Sequence, residues 1–195
     1  MERIIYSSLN NIEWDAQSAF KLTNYYTDKE ECMIFTYLKQ YVYNNNLKIC
    51  TYCFEKDTSG KQDLQLCLNL NPEVTKSYIH IEYGIDGINS IYIIDDNGNK
   101  KEIFDFSDKI QYHSFKSNDQ QGYYWCGEIT VSKNFIKEIF ETILKEKSII
   151  SLNLYKIFPQ MSDYACLFPD DKNNFLSKKD SMKEFVVLNL SLIHI

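Results

Sequence analysis

The sequence predicts an all-β fold, an antiparallel β-sandwich of jelly-roll-like form with one short amphipathic helix. Three observations carry that expectation. Short runs rich in Ile, Val, Tyr, Phe and Thr recur along the chain and are divided by polar turns. A single segment keeps the 3.6-residue apolar period of a surface helix. Aromatic residues make up 15% of the 195 residues, 15 of them Tyr and 12 Phe against 2 Trp, and such rings favour a pleated, half-buried surface. With only 6 Gly and 3 Pro the composition excludes collagen-like and linker-like chains.

The strands follow in order. Residues 32–38 (CMIFTYL) read as a strand, and Asn44-Asn45-Asn46 marks the turn that follows. Residues 47–55 (LKICTYCFE) and 64–70 (LQLCLNL) come next at similar spacing. In 78–83, Ile79, Ile81 and Tyr83 fall on one face, with Tyr78, His80 and Glu82 on the other. Segments 90–96 and 101–106 flank Asn97-Gly98, a strong hairpin signal. Residues 127–131, 149–157 and 184–189 complete the strands, and the polar stretch 170–183 is expected to be a surface loop.

The helix is expected from about Lys133 to Lys147, with Ser132 as N-cap. Phe135, Ile139 and Ile143 form one apolar row and Ile136, Phe140 and Leu144 the next, so the helix should close one end of the β core.

A length of 195 residues suits one domain, taken here as 1–189, and a chain of this size buries roughly 70% of its unfolded surface without staples. The last six residues, Leu190 to Ile195, spell one reading frame of a transposon end used in sequencing libraries, so the native sequence is expected to stop near Asn189. A formal charge of −6 argues against nucleic acid or an anionic membrane as partner. No apolar stretch is long enough to span a bilayer, and the start of the chain lacks the pattern of an export signal. The expectation is a cytoplasmic protein whose six cysteines are reduced thiols. Arg3 is the only Arg beside many Lys, Asn, Ile and Tyr, the codon bias of an AT-rich, bacterial genome.

Motifs that carry chemistry are few. Cys50 and Cys53 form a CxxC, but inside a strand side chains three apart point to opposite faces, so the pair should neither chelate nor bridge. His80 and Glu82 share a strand face without a third group to complete acid–base machinery. Asp95-Asp96-Asn97-Gly98-Asn99 echoes a calcium loop, yet lacks its alternating ligands and closing Glu. No cofactor is expected, and a structural calcium ion has no support beyond that echo. Rings in expected loops, Tyr123, Tyr124, Tyr164, Phe168 and Phe175, are candidate platforms on which sugar C–H faces would stack.

Taken in order, several segments resemble the family 9 carbohydrate-binding modules. Glu13-Trp14-Asp15 is similar to the opening W-D of that family, and residues 45–49 (NNLKI) to its "LYV" turn and strand. Residues 63–72 (DLQLCLNLNP) resemble the "DSVELFL…P" strand, and 81–87 (IEYGIDG) the "FEVN…G" strand and turn. Residues 124–132 (YWCGEITVS) look like the "W…E..IP" strand, and 152–156 (LNLYK) like "NFYK". Residues 163–169 stand for the "SW.P" loop and 185–188 for the closing strand. The resemblance implies a β-sandwich that binds sugar chain ends without catalysis.

This sequence departs from the pattern at the sugar clamp. Ser59-Gly60-Lys61-Gln62 supplies no ring where the family has one Trp, and Leu167 stands at the other Trp position. Gln65 replaces the strand Glu and Gly84 the Asn of "FEVN", and an amide is a weaker hydroxyl partner than a carboxylate. Trp125 is expected in the core, and Trp14 to pack the N-terminal segment onto the sandwich. The expected function is therefore a non-catalytic carbohydrate-binding-like module holding a sugar, oligosaccharide or small polar ligand weakly. Its candidate contacts are Gln65, Glu82, Tyr164 and Phe168. The alternative is an intracellular interaction or structural protein that has lost sugar binding and pairs through an aromatic patch. Oligomeric state is open at this point.

Overall fold

The computed structural model describes residues 3–8, 13–26, 35–55, 63–119, 122–158, 163–169 and 182–189. Strand expectations at 32–34, the loop 170–181, Phe175 and the tail 190–195 lie outside them. The strands are β1 (Ile4–Ser8), β2 (Phe20–Lys21), β3 (Asn24–Tyr26), β4 (Thr36–Tyr43), β5 (Asn46–Glu55), β6 (Asp63–Asn69) and β7 (Tyr78–Gly84). They continue as β8 (Gly87–Ile94), β9 (Lys100–Glu102), β10 (Ile110–Asp119), β11 (Gly122–Val131), β12 (Ile149–Ile157), β13 (Tyr164–Cys166) and β14 (Lys183–Asn189). One helix, α1 (Lys133–Phe140), and a 3-10 turn (Trp14–Ala16) accompany them.

All these strands join one sheet, whose main path runs β10-β11-β5-β4-β1-β14-β12-β6-β7-β8-β9. The mostly-β reading with a single helix holds, while the purely antiparallel one is corrected. β1 lies between β4 and β14 and is parallel to both, which makes the sheet mixed. The long connection between β1 and β4 gives room for the crossover that a parallel pair requires.

The sheet curls so that its two halves face one another. Tyr83 on β7 reaches Thr51 on β5 at 3.3 Å, and Lys156 on β12 reaches Thr36 on β4 at the same distance. The free ends of the curl meet through side chains: Tyr112 and Ser114 of β10 donate to the carbonyls of Gly84 and Ile85 at 2.6 and 2.7 Å. Gly127 makes this closure possible, because a Cβ there would lie 2.9 Å from the Tyr112 hydroxyl.

Alternation decides what fills the curl. Leu47, Ile49 and Cys53 of β5, Leu64, Leu66 and Leu68 of β6, Ile79, Ile81 and Tyr83 of β7, and Trp125 and Ile129 of β11 all point inward. Trp125 is thus a core ring, as the sequence predicts, and Cys53 faces away from Cys50.

Ser132 caps α1 by accepting from Phe135 N–H at 3.3 Å, and Phe135, Ile136 and Phe140 seal the end of the core. The helix is shorter than its apolar period predicts. Glu141 turns left-handed at φ 52°, and distant asparagines collect the freed carbonyls. Asn71 donates to Phe140 O at 3.1 Å and Asn45 to Leu144 O at 2.6 Å, while Asn46 accepts from Lys133 N–H at 2.8 Å. The Asn44-Asn45 turn itself takes positive φ at both residues, 50° and 65°, which Asn tolerates better than most side chains.

Candidate functional site

The curled sheet has two outward faces, and the expected contacts divide unevenly between them. On the β6–β7–β8–β12 face one row crosses four strands: Tyr155, Gln65, Glu82 and Ser90 are successive register partners. Gln65 and Glu82 are therefore neighbours. Glu82 accepts a 2.7 Å hydrogen bond from Ser90 and lies 3.7 Å from His80 Nε2, the pairing that their shared face suggests.

This face is covered by the chain itself. Tyr155 and Tyr164 are buried together with Cys67, Cys166 and Tyr78, and Tyr26, Tyr92 and Met182 pack against them. Tyr26 stacks on Tyr164 with ring centres 4.5 Å apart. Tyr164 is held by β13, which pairs with both β12 and β3. Phe168 does not join the group. Its ring lies in the main core against Phe185, with the Arg3 guanidinium 4.5 Å from its centre. Leu167, at the position where the resemblance places a Trp, is buried there too.

The Asp95 and Asp96 carboxylates, the calcium-like echo, are engaged in turn building. Asp95 accepts from the Asn99 side-chain amide at 2.8 Å and from the backbone of Asn99 and Asn97 at 2.8 and 2.9 Å. Asp96 accepts from the hydroxyls of Thr75 and Ser77, both at 2.7 Å. These bonds hold both carboxyls below their ordinary range.

The β4–β5–β11 face is built differently. Alternation sends Tyr37, Lys39 and Tyr41 of β4, Lys48, Cys50, Tyr52 and Phe54 of β5, and Tyr124, Cys126, Glu128 and Thr130 of β11 to the same side. Tyr37 stacks on Tyr52 at 4.6 Å and 16°, and Phe54 and Tyr124 extend the ring surface at 5.1 Å. Tyr37, Tyr52, Phe54 and Tyr124 all remain half-buried.

An open groove of about 550 Å³ runs beside these rings, lined by Trp14, Asp15, Tyr41, Lys48, Tyr52 and Glu128 among others. That volume lies within the usual range of small-molecule sites, roughly 300–1,000 Å³. Trp14 fixes its margin: the ring meets Tyr41 edge-on at 4.8 Å, and its indole N–H donates to Glu128 Oε1 at 2.8 Å. Lys39 donates to Trp14 O at 2.9 Å and sits 5.8 Å from the ring centres of both Tyr37 and Tyr52. Lys48 donates to Thr130 Oγ1 at 2.8 Å.

The phenols here are kept neutral. Burial, then the neighbouring thiols Cys50 and Cys126, push Tyr37 up to about 12. Burial raises Tyr41 and Tyr52 as well. The face thus offers flat apolar rings beside protonated hydroxyls, ammonium groups and carboxylates. Such a mixture matches a polyhydroxylated ring, which is apolar above and below and polar around its rim.

Sequence reading named Tyr124 as a candidate ring but not Tyr37, Tyr52 or Glu128, and Trp14 packs the N-terminal segment onto the sheet as expected. The available signal was the alternation of Tyr52 and Phe54 on the outward side of β5. It is ambiguous because the inward set, Leu47, Ile49 and Cys53, is equally apolar.

No known family's sequence model matches the chain, and no curated protein matches it in sequence. Solved structures do match. A candidate carbohydrate-binding protein from Bacteroides uniformis aligns with a TM-score of 0.67 at 9% identity, covering 89% of this chain and 87% of that one. A family 9 carbohydrate-binding module from Caldicellulosiruptor kristjanssonii in complex with cellotriose gives 0.58 at 12% identity over 99% and 97%. A family 9 module from the same organism in complex with glucose gives 0.57 at 12% identity over 96% of each chain. The fold is that of the family 9 carbohydrate-binding modules. Among the described residues no helix is long and apolar enough to cross a membrane.

Proposed function

We propose that this protein is a non-catalytic carbohydrate-binding module whose ligand, a sugar or oligosaccharide, lies in the groove on the β4–β5–β11 face. The observation that carries this reading is the half-exposed Tyr37–Tyr52 stack beside a groove rimmed by Trp14, Glu128 and Lys48. The fold likeness to modules solved with cellotriose and glucose supports the same ligand class. Without a Trp clamp the affinity falls between micromolar and millimolar, about −8 to −4 kcal/mol.

Calorimetry with a panel of mono- and oligosaccharides tests this. Binding by at least one sugar is expected, weakened about tenfold by Tyr52→Ala, which corresponds to about 1.4 kcal/mol. Silence across the panel would defeat the reading. Binding that ignores Tyr52→Ala but is lost in Glu82→Ala would move the site to the Gln65–Glu82 row.

A second reading has its own observation. Phe115, 37% exposed, is the register partner of Cys126 and extends the open face onto β10. A concentration-dependent dimer in sedimentation, disrupted by Phe115→Ser, would favour an interaction protein that uses this side.

A further inference from the structure

Buried beside the groove is a chemistry that sugar binding leaves unused. Cys50 on β5 is the register partner of Glu128 on β11, and Tyr52 is the partner of Cys126, so the four side chains form the corners of one square. Across one diagonal the two buried sulfurs lie 2.7 Å apart, closer than the roughly 3.5–4.0 Å of ordinary heavy-atom contact. Across the other, Glu128 and Tyr52 line the groove. The two sulfurs and a Glu128 carboxylate oxygen all fall within 4.8 Å of one another.

We propose that Cys50, Cys126 and Glu128 form a binding site for a thiophilic divalent cation of the Zn²⁺ class, with the remaining coordination position open to the groove. Two soft sulfurs and one carboxylate suit such an ion, whereas calcium and magnesium take all-oxygen sets. At Zn–S distances of about 2.3 Å a tetrahedral ion needs the sulfurs about 3.8 Å apart. They therefore swing about 1 Å outward, which also relieves their present contact.

The surroundings supply what a bound ion requires. The Trp14 indole holds Glu128 Oε1, orienting the carboxylate as outer-shell partners of metal ligands do and leaving Oε2 for the metal. Glu128 lines the groove, so an ion from solvent meets this ligand first, with the two sulfurs buried behind it. The ion takes both sulfurs as thiolates and their two protons pass to solvent, so affinity rises with pH. Cys53 takes no part, since it faces the core.

The test is a titration of the reduced, chelator-stripped full chain with Zn²⁺ against a chromophoric chelator, and separately with Co²⁺. Expected are one ion per chain, a thiolate-to-cobalt charge-transfer band in the near ultraviolet, and two thiols protected from a thiol reagent. Cys126→Ser should remove the band and weaken Zn²⁺ at least tenfold. Trp14→Phe should keep the stoichiometry and weaken the ion by about 10–100-fold. Absence of stoichiometric Zn²⁺, or Zn²⁺ binding unchanged in Cys126→Ser, would overturn the site. So would loss of two mass units through a Cys50–Cys126 disulfide while Zn²⁺ is present, which would assign the contact to a covalent pair. No sugar enters these measurements, so the groove's ligand and the metal succeed or fail separately.

Discussion

On the β6–β7–β12 side Tyr155 is fully buried, its ring tilted against Tyr164, on which Tyr26 stacks, and Glu82 is engaged by Ser90 and His80. On the β4–β5–β11 side Tyr37, Tyr52, Phe54 and Tyr124 touch one another yet stay half-exposed, with carboxylates and ammonium groups beside them. Both faces belong to one sheet and draw on the same residue types. The difference lies in which side chains pack over them. Tyr164 and Tyr26, from the strands β13 and β3 that extend the sheet beyond β12, cover the first face with Met182, whereas the second has the 3-10 turn Trp14–Ala16 along one margin. A tyrosine on an outward strand position therefore becomes core or platform according to segments distant in sequence.

The sharpest way to break this contrast is Tyr155→Ala. If the covered face is a true second core, truncating its central ring costs about 3–5 kcal/mol in denaturant unfolding. A cost under about 1 kcal/mol would mean that the two faces are alike. Tyr52→Ala, on the open face, should cost no more than about 2 kcal/mol of stability while lowering sugar affinity tenfold. A stability loss equal to that of Tyr155→Ala would make the open face structural.

Gly127→Ala probes the closure that the two faces share. Its Cβ displaces the Tyr112 hydroxyl from Gly84 O, and a loss of about 1–2 kcal/mol is expected. Rescue by Tyr112→Phe in the same chain would confirm the steric route. The smallest effect concerns the turn beside the covered face. The Asp96 carboxyl is held below its ordinary value of 3.8, so the stability it contributes is present above about that pH and is lost as pH falls through the lower, folded value. The melting-temperature gap between the parent chain and Asp96→Asn should shrink as pH drops below 3.8. A gap independent of pH would sink this account.

Legibility in the sequence follows the range of the forces involved. The inward set of β7, Ile79, Ile81 and Tyr83, and the Asn97-Gly98 turn were readable because alternation and turn chemistry are local. The start of α1 was readable from Ser132, but its end was not. Asn71 and Asn45 collect carbonyls far along the chain and let the helix stop at Phe140. Cys50 shows the same limit in the candidate site: its spacing to Cys53 excludes that partner, while its contact with Cys126 spans 76 positions. The open face stayed hidden because both sides of β5 carry apolar side chains, and only the fold reveals which side is covered.

The place of β1 also bears on how the molecule is made. Ile4 pairs with Val186 and Tyr6 with Tyr41, so this strand is wedged between the early hairpin of β4 and β5 and the late strand β14. During synthesis it emerges long before one of its two neighbours exists. It must wait with an unpaired edge until β14 arrives, then slot into a gap whose sides are otherwise assembled. Contacts so distant in sequence make folding slow, and the waiting strand is the point at which a second chain would most readily intrude.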